Sequence, residues 1–385
     1  MGVNDRNKHR FEGMWPLPYG VSYNSYLIDD EMVALVDTVD ICYFEVYLRK
    51  IKQVIGERPI NYLIINHMEP DHSGSIRLIK QHYPEIIIVG NKQTFGMIEG
   101  FYGVTGEQYL VKEGDFLALG HHKLRFYMTP MVHWPETMMT FDETDGVLFS
   151  GDGFGCFGTV DGGFLDTRIN VDKYWGEMVR YYSNIVGKYG SPVQKALQKL
   201  GGLPISAICS THGPVRTENI AKVIGIYDRL SRYDADEGVV IAYGSMYGNT
   251  EQMAEAIAEE LSAQGVKNIV MHNVTKSHPS YIIADIFRYK GLIIGSPTYS
   301  NQIFPEVEAL LSKILLREVK GRYLGYFGSF AWAGAAVKRM AEFAEKSKFE
   351  LVGDPVEMKQ AMRDITYTQC ENLAHAMAER LKKDR

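Results

Sequence analysis

Beyond residue 238 the chain alternates fully apolar runs with helical stretches, and this alternation restricts the fold more than any other feature. Residues 239–243 (VVIAY), 268–271, 291–294, 323–327 and 350–352 read as strands. Helices are expected at 250–263, 305–316, 335–345 and 370–381. Strands that are apolar on both faces must be covered on both faces, which is the signature of a parallel, doubly wound sheet.

The first part of the chain reads differently. Short strands at 32–37, 60–65, 85–89, 124–129, 146–150 and 205–210 stand between turn residues. Long helices are few there; examples lie at 42–54 and 172–186. The polar stretch 229–238 (RLSRYDADEG) lacks apolar periodicity and is the expected linker, giving domains at 1–232 and 233–385. A length of 385 residues suits two domains. The net charge of −6 gives no basic face for nucleic acid. No apolar run reaches the roughly 18 residues that a membrane span needs, and the polar start Met1-Gly-Val-Asn-Asp5 does not read as a secretory signal. The four cysteines, Cys42, Cys156, Cys209 and Cys370, form no Cys-x-x-Cys pair. A disulfide framework or zinc ribbon is therefore not expected, and a cytoplasmic location is.

Residues 66–74 (NHMEPDHSG) place His67, Glu69, Asp71 and His72 directly after an apolar run. On an extended chain His67, Glu69 and Asp71 point the same way, and Pro70 favours an extended Glu69. His72 would add a ligand from the other side. His133, Asp152 and His212 each follow a strand-like run and sit beside Gly or Pro. Strand ends are where such architectures gather chemistry. Any one of these residues alone reads as solvated or capping; seven together read as a metal site. Four imidazoles and three carboxylates exceed what one ion takes. Two ions sharing Asp152 would use them all and leave positions open for solvent and substrate. Imidazole with carboxylate suits iron, manganese or zinc.

A second constellation opens the alternating half. Ser245, Met246, Tyr247, Gly248, Asn249 and Thr250 follow its first strand and begin its first helix. Hydroxyls, an amide and a helix N-terminus suit a phosphate. The run matches neither the dinucleotide nor the triphosphate glycine pattern, so a mononucleotide is expected. Two later loops carry Pro297, Thr298, Tyr299 and Asn301, then Ser329, Phe330, Ala331, Trp332, Ala333 and Gly334. Small polar groups beside an aromatic suit a planar ring, and the three loops together point to FMN.

The motifs His67-x-Glu-x-Asp-His72, His133-Trp-Pro, Gly151-Asp-Gly, Thr211-His-Gly, Ser245-Met-Tyr-Gly-Asn-Thr250 and Ser329-Phe-Ala-Trp-Ala-Gly334 resemble those of the flavodiiron proteins over nearly the whole chain. That resemblance implies a metallo-β-lactamase-like αβ/βα sandwich followed by a flavodoxin-like domain. Hydrolytic relatives in the wider superfamily carry His where Glu69 stands, and bind zinc. By resemblance, His67, Glu69 and His133 hold the iron nearer the flavin, Asp71, His72 and His212 hold the other, and Asp152 bridges them. FMN then takes electrons from an outside donor, a rubredoxin-type protein or a reduced deazaflavin, and feeds the di-iron centre, which reduces dioxygen to water or nitric oxide to nitrous oxide. The resemblance also implies a head-to-tail homodimer or a dimer of dimers. Tyr181 and Tyr182 are expected to pack in the core rather than line the substrate pocket. The competing reading is a dizinc hydrolase with a fused electron-carrying flavodoxin domain; a third is an electron carrier with a vestigial metal site.

Overall fold

The computed structural model describes residues 1–384. Contacts divide the chain into two units, Met1–Ser231 and Arg232–Arg385.

The first unit holds two five-stranded sheets. One runs in the order Tyr26–Ile28, Ala34–Val36, Tyr62–Ile64, Ile87–Gly90, Gln108–Leu110, and is parallel after its first pair. The other runs Phe116–Ala118, Lys123–Met128, Met138–Asp142, Val147–Gly151, Ala207–Ser210, and is antiparallel until its last pair. Val36, Ile64 and Val89 of the first meet Leu124, Phe126, Met138 and Phe149 of the second in one core. The outer faces are left to amphipathic helices. Phe44–Ile55, for example, buries Phe44, Tyr47, Leu48, Ile51 and Ile55, three or four residues apart. The layers are those of the αβ/βα sandwich.

This unit is more helical than its sequence suggests. Ile76–His82, Lys92–Tyr102, Gly190–Leu200 and Ile220–Ser231 are helices. Gly96 and Gly100 weaken the pattern in Lys92–Tyr102, so its periodicity is faint. The expected helix at 172–186 is α-helical only over Asp172–Tyr181 and continues as a π turn, Tyr182–Val186. The expected linker at 229–238 is also shorter. Ile220–Ser231 remains helical because Tyr227, Leu230 and Ser231 are buried, and the next strand already begins at Asp236, leaving residues 232–235 between them.

The second unit is the doubly wound sheet. Its order is Ile269–Asn273, Asp236–Tyr243, Tyr289–Tyr299, Tyr323–Phe330, then a split edge of Glu350–Leu351 and Val356–Lys359. In chain order this is 2-1-3-4-5, the flavodoxin-like arrangement, whose ligands sit at the carboxyl ends beside the point where strand order reverses. Asn249–Ala263 and Asp364–Lys382 cover one face through Met253, Ile257, Leu261, Leu373, Met377 and Leu381. The right-handed crossovers put Pro279–Arg288, Pro305–Leu316 and Ala336–Ser347 on the other. Val356–Lys359 was not foreseen, because a short run alternating buried and exposed residues carries little signal. Among the described residues, no helix is long and apolar enough to cross a membrane.

Asp166 ties a loop to the start of Ile220–Ser231. It accepts from the backbone of Thr217 at 2.9 Å, the Thr217 hydroxyl at 2.8 Å and the backbone of Asn219 at 3.1 Å. Burial alone would raise its pKa, but these donors outweigh burial and hold it at about 2. A depressed carboxylate stabilises the fold above the unfolded value of roughly 3.9 and ceases to do so as pH falls towards the folded one. Asp166→Ala is expected to cost about 2 kcal/mol at neutral pH, with the difference shrinking between about pH 4 and 2, as read by urea denaturation across that range.

Candidate active site

The metal-ligating candidates arrive from five places in the first unit. His67 and Glu69 follow the strand Tyr62–Ile64, and Asp71 and His72 lie on the helical turn Pro70–Ser73. His133 sits between Lys123–Met128 and Met138–Asp142, Asp152 follows Val147–Gly151, and His212 follows Ala207–Ser210. Glu69 is extended (φ −57°, ψ 137°), as the following proline requires. Alternation along the chain does not carry on to Asp71, however. The backbone turns helical at Pro70, so Asp71 leaves the side of His67 and Glu69 and joins His72.

The seven therefore form two groups: His67, Glu69, His133 and Asp152, and Asp71, His72 and His212. In the first, His133 Nε2 lies 3.2 Å from Glu69 Oε2 and 3.1 Å from Asp152 Oδ2. His67 Nε2 lies 3.4 Å and 3.5 Å from the same two oxygens. In the second, His72 Nε2 lies 3.3 Å from Asp71 Oδ2 and 3.0 Å from Asp152 Oδ1. His212 Nε2 lies 3.4 Å from Asp71 Oδ2 and 3.7 Å from Asp152 Oδ1. Asp152 thus turns one oxygen to each group, and each corner offers two imidazole nitrogens and two carboxylate oxygens. Donors about 2.0–2.2 Å from one ion stand roughly 3.0–3.5 Å from one another, so the spacing is that of a coordination shell.

Burial makes the case sharper. His67, His72 and His212 are fully buried, Asp152 is 1% exposed, and only Glu69, Asp71 and His133 keep 6–8% exposure, marking the side open to solvent. His67 Nε2 and both carboxylate oxygens of Asp71 are buried without a hydrogen-bond partner. Such atoms are costly unless something pairs them, and a cation supplies what they lack. Burial would push His72 and His133 down in pKa, but the facing carboxylates outweigh it and hold both at about 9. The same contacts hold Glu69 and Asp152 below the usual carboxylate range, against their burial.

Residues behind the corners aim them. Glu136 accepts from His67 Nδ1 at 2.9 Å and from the Met68 backbone at 2.9 Å. His212 Nδ1 donates to the Ser22 carbonyl at 2.7 Å. Both histidines are thereby fixed with Nε2 free to face the corner. Asp37 accepts from the backbone of Asn66 at 2.8 Å, and the Thr211 hydroxyl donates to Asp152. Gly151 (φ +55°) and Gly213 (φ +84°) set the turns beside Asp152 and His212. At Gly213 a Cβ would fall 2.3 Å from Cys156 Sγ. The sequence reading missed these supports. Glu136 had a signal, three residues after His133, but no sequence pattern says which acid folds behind His67. Tyr181 and Tyr182 are buried as expected. Tyr181 also reaches the site: its ring lies 5.5 Å from that of His212, and its hydroxyl is buried without a partner.

In the second unit, a cavity of about 680 Å³ opens at the carboxyl ends of the strands. Met246, Tyr247, Asn249 and Thr250 line it from the first loop, Pro297, Thr298, Tyr299 and Asn301 from the second, and Ser329, Phe330, Ala331, Trp332 and Ala333 from the third. Ser245, Gly248 and Gly334, expected at the ligand, do not line it. The Ser245 hydroxyl turns into its own loop and accepts from the Gly248 backbone at 3.2 Å, Gly248 (φ +90°) turns the chain into the helix, and Gly334 packs on Glu357. Ser300, Gln360 and Ala361 line the cavity and were missed, the last two because they follow the unforeseen strand. The loops are tied together. Thr250 and Ser329 hydroxyls lie 2.8 Å apart, and Thr298 accepts from the Ala335 backbone at 3.0 Å. Tyr247 and Trp332 are 88% and 85% exposed at the rim, available to cover a flat ring.

Two family descriptions match: the ODP family beta-lactamase over residues 21–213, and flavodoxin over 241–372. The rubredoxin-oxygen oxidoreductase of Megalodesulfovibrio gigas is 33% identical over 387 residues, spanning 99% of this chain and 96% of that one. The anaerobic nitric oxide reductase flavorubredoxin of Vibrio vulnificus is 32% identical, over 91% of this chain and 72% of its own length. The solved flavodiiron protein of Giardia intestinalis superposes with a TM-score of 0.93 at 26% identity, covering 99% of this chain and 94% of that one. The chain belongs to the flavodiiron protein family. FMN and a di-iron centre are the cofactors of this flavodiiron chain, in keeping with its flavodoxin half and its two donor corners.

Glu136 gives this flavodiiron site a direct test. Glu136→Ala removes the acceptor that fixes His67 and is expected to weaken iron retention by about 10- to 100-fold, measured by anaerobic competition with a ferrous chelator.

Proposed function

We infer that this chain is an oxidoreductase that reduces dioxygen to water or nitric oxide to nitrous oxide with electrons received through FMN. The observation that carries the reading is the carboxylate of Asp152, shared between two four-donor corners, with Glu69 as an acidic donor in one of them. The names of the relatives, a rubredoxin-oxygen oxidoreductase and a nitric oxide reductase flavorubredoxin, supply the two substrates and a rubredoxin-type donor.

In this reading His67, Glu69, His133 and Asp152 hold one iron and Asp71, His72, His212 and Asp152 the other. When bound, two ferrous ions and one reduced FMN hold the four electrons that dioxygen needs to become water. The chain's own part would be to offer one oxygen of Asp152 to each corner, to keep Nε2 of His67 and His212 free through Glu136 and the Ser22 carbonyl, and to leave exposure only at Glu69, Asp71 and His133. The loop at 245–250 would hold the FMN phosphate at the start of Asn249–Ala263. Tyr299 and Trp332 would flank the ring. Flavin and metals belong to different units, and a head-to-tail homodimer, alone or doubled, would bring one protomer's FMN beside its partner's irons. Reduced deazaflavin is an alternative donor, and a cytoplasmic location suits the free cysteines.

Iron near two per chain, FMN near one, and anaerobically reduced protein that consumes dioxygen or nitric oxide are the expected results. Zinc in the site after iron-replete growth, with hydrolysis and no gas consumption, would replace this reading with the dizinc hydrolase. The protons on the metal-free site give a second check. Without metal, His72 and His133 are protonated below about 9. Iron must displace those protons, so its apparent affinity should rise from pH 6 to 9 with measurable proton release; a flat affinity over that range would contradict the proposed ligand set.

A further inference from the structure

The cavity at the carboxyl ends of the doubly wound sheet has a fourth wall. Val356–Lys359 pairs in parallel with Phe327–Phe330, and its last residue, Lys359, stands opposite Phe330. The chain therefore leaves this strand beside the third flavin loop. Gln360, the next residue, is exposed and lines the cavity, although it belongs to none of the three motif loops.

Gln360 is held in a conformation that glutamine does not take freely. Its φ is +66°, in the left-handed region, where a Cβ is crowded and glycine or asparagine is usual. Its backbone N–H donates to the Phe330 carbonyl at 2.7 Å, and its side-chain Nε2 donates to the Ala331 carbonyl at 3.3 Å. Residues in such conformations persist where their surroundings fix them, and they concentrate at ligand sites.

The side-chain bond also decides which end of the amide is free. A backbone carbonyl only accepts, so the amide nitrogen must face Ala331. The amide oxygen, an acceptor, is left without a protein partner. Ala331 adjoins Trp332, one of the two aromatics assigned to the ring, so this amide stands at the ring end of the cavity. The chemistry of the ring then selects the partner. Along its polar edge an oxidised flavin offers acceptors at N1, O2, O4 and N5, and a single donor, the imide N3–H. Only that donor can pair with a free carbonyl oxygen.

We propose that Gln360 is a flavin-specificity residue, its side-chain oxygen accepting a hydrogen bond from the N3–H of the FMN ring. The proposal rests on the placing of the ring against Tyr299 and Trp332 given above. Pinned through both backbone and side chain, the amide meets the ring already oriented, and little freedom is lost on binding.

The test uses the full iron-loaded chain stripped of FMN, with the variants Gln360→Ala, Gln360→Gly and Gln360→Glu. Binding of FMN and of N3-methyl FMN, which lacks the donor, is followed by flavin fluorescence. The parent chain should bind FMN about fivefold more tightly than the methylated flavin. Gln360→Ala should bind FMN about fivefold more weakly and lose this preference. Gln360→Gly should do the same without lowering the thermal midpoint of the flavin-free protein, since glycine is at ease at this φ. Gln360→Glu should lower the reduction potentials of the bound flavin, read by spectroelectrochemistry, because a fixed negative charge opposes added electrons. A parent chain that binds both flavins equally would overturn the proposal. So would a Gln360→Ala or Gln360→Gly variant that binds both more weakly with the preference intact, which marks a merely structural role. If instead Tyr299→Ala and Trp332→Ala leave FMN affinity and the flavin absorption spectrum unchanged, the placing of the ring falls.

Discussion

One buried carboxylate organises the first unit. Asp152 turns Oδ2 towards His67 and His133 and Oδ1 towards His72 and His212, at 3.0–3.7 Å. A single charged group this deeply buried is tolerated only when paired. Here its partners come from three separate connections of the chain, so the whole sandwich must close for the pairing to exist. Two sheets packed face to face bring those loops to one rim, because the strands before Glu69, Asp152 and His212 end at the same side of the shared core. Site and core are thus two aspects of one arrangement: the apolar runs pack, and the polar residues that follow them are left facing each other.

The flavodoxin half solves a different problem with the same economy of position. Its sheet reverses order between Asp236–Tyr243 and Tyr289–Tyr299, so the loops leaving these strands diverge and a cavity opens between them. Hydrogen bonds between Thr250 and Ser329, and from the Ala335 backbone to Thr298, then lock the three loops against one another. Tyr247, Tyr299 and Trp332 stand exposed around this cavity, where flat side chains are available to a planar ligand.

Much of the architecture was legible in the sequence because it rests on local signals. Val239–Tyr243 is apolar at every position, and only a strand covered on both faces accommodates that. Pro70 fixed Glu69 in an extended conformation, and Pro305 marked the first turn of its helix. Elements without a strong local signal escaped: Val356–Lys359 alternates too briefly, and Lys92–Tyr102 is diluted by glycines. The linker looked longer than it is because Arg229–Ser231 is polar in composition, yet its helix is held by the burial of Tyr227 and Leu230.

The seven candidate donors were legible in the sequence alone, since their residue types and their places after apolar runs are properties of the chain. Alternation along the chain grouped Asp71 with His67 and Glu69, and only the family resemblance implied their division into two corners. That division depends on a bend at Pro70 that separates Asp71 from Glu69, and on the approach of loops more than a hundred residues apart. The residues that aim these side chains, Glu136 behind His67 and Ser22 behind His212, were decided wholly by the tertiary structure. A hydrogen-bond acceptor or a carboxylate has no distinguishing pattern in sequence; it acquires its role only when the fold removes water from around it and leaves one partner within reach.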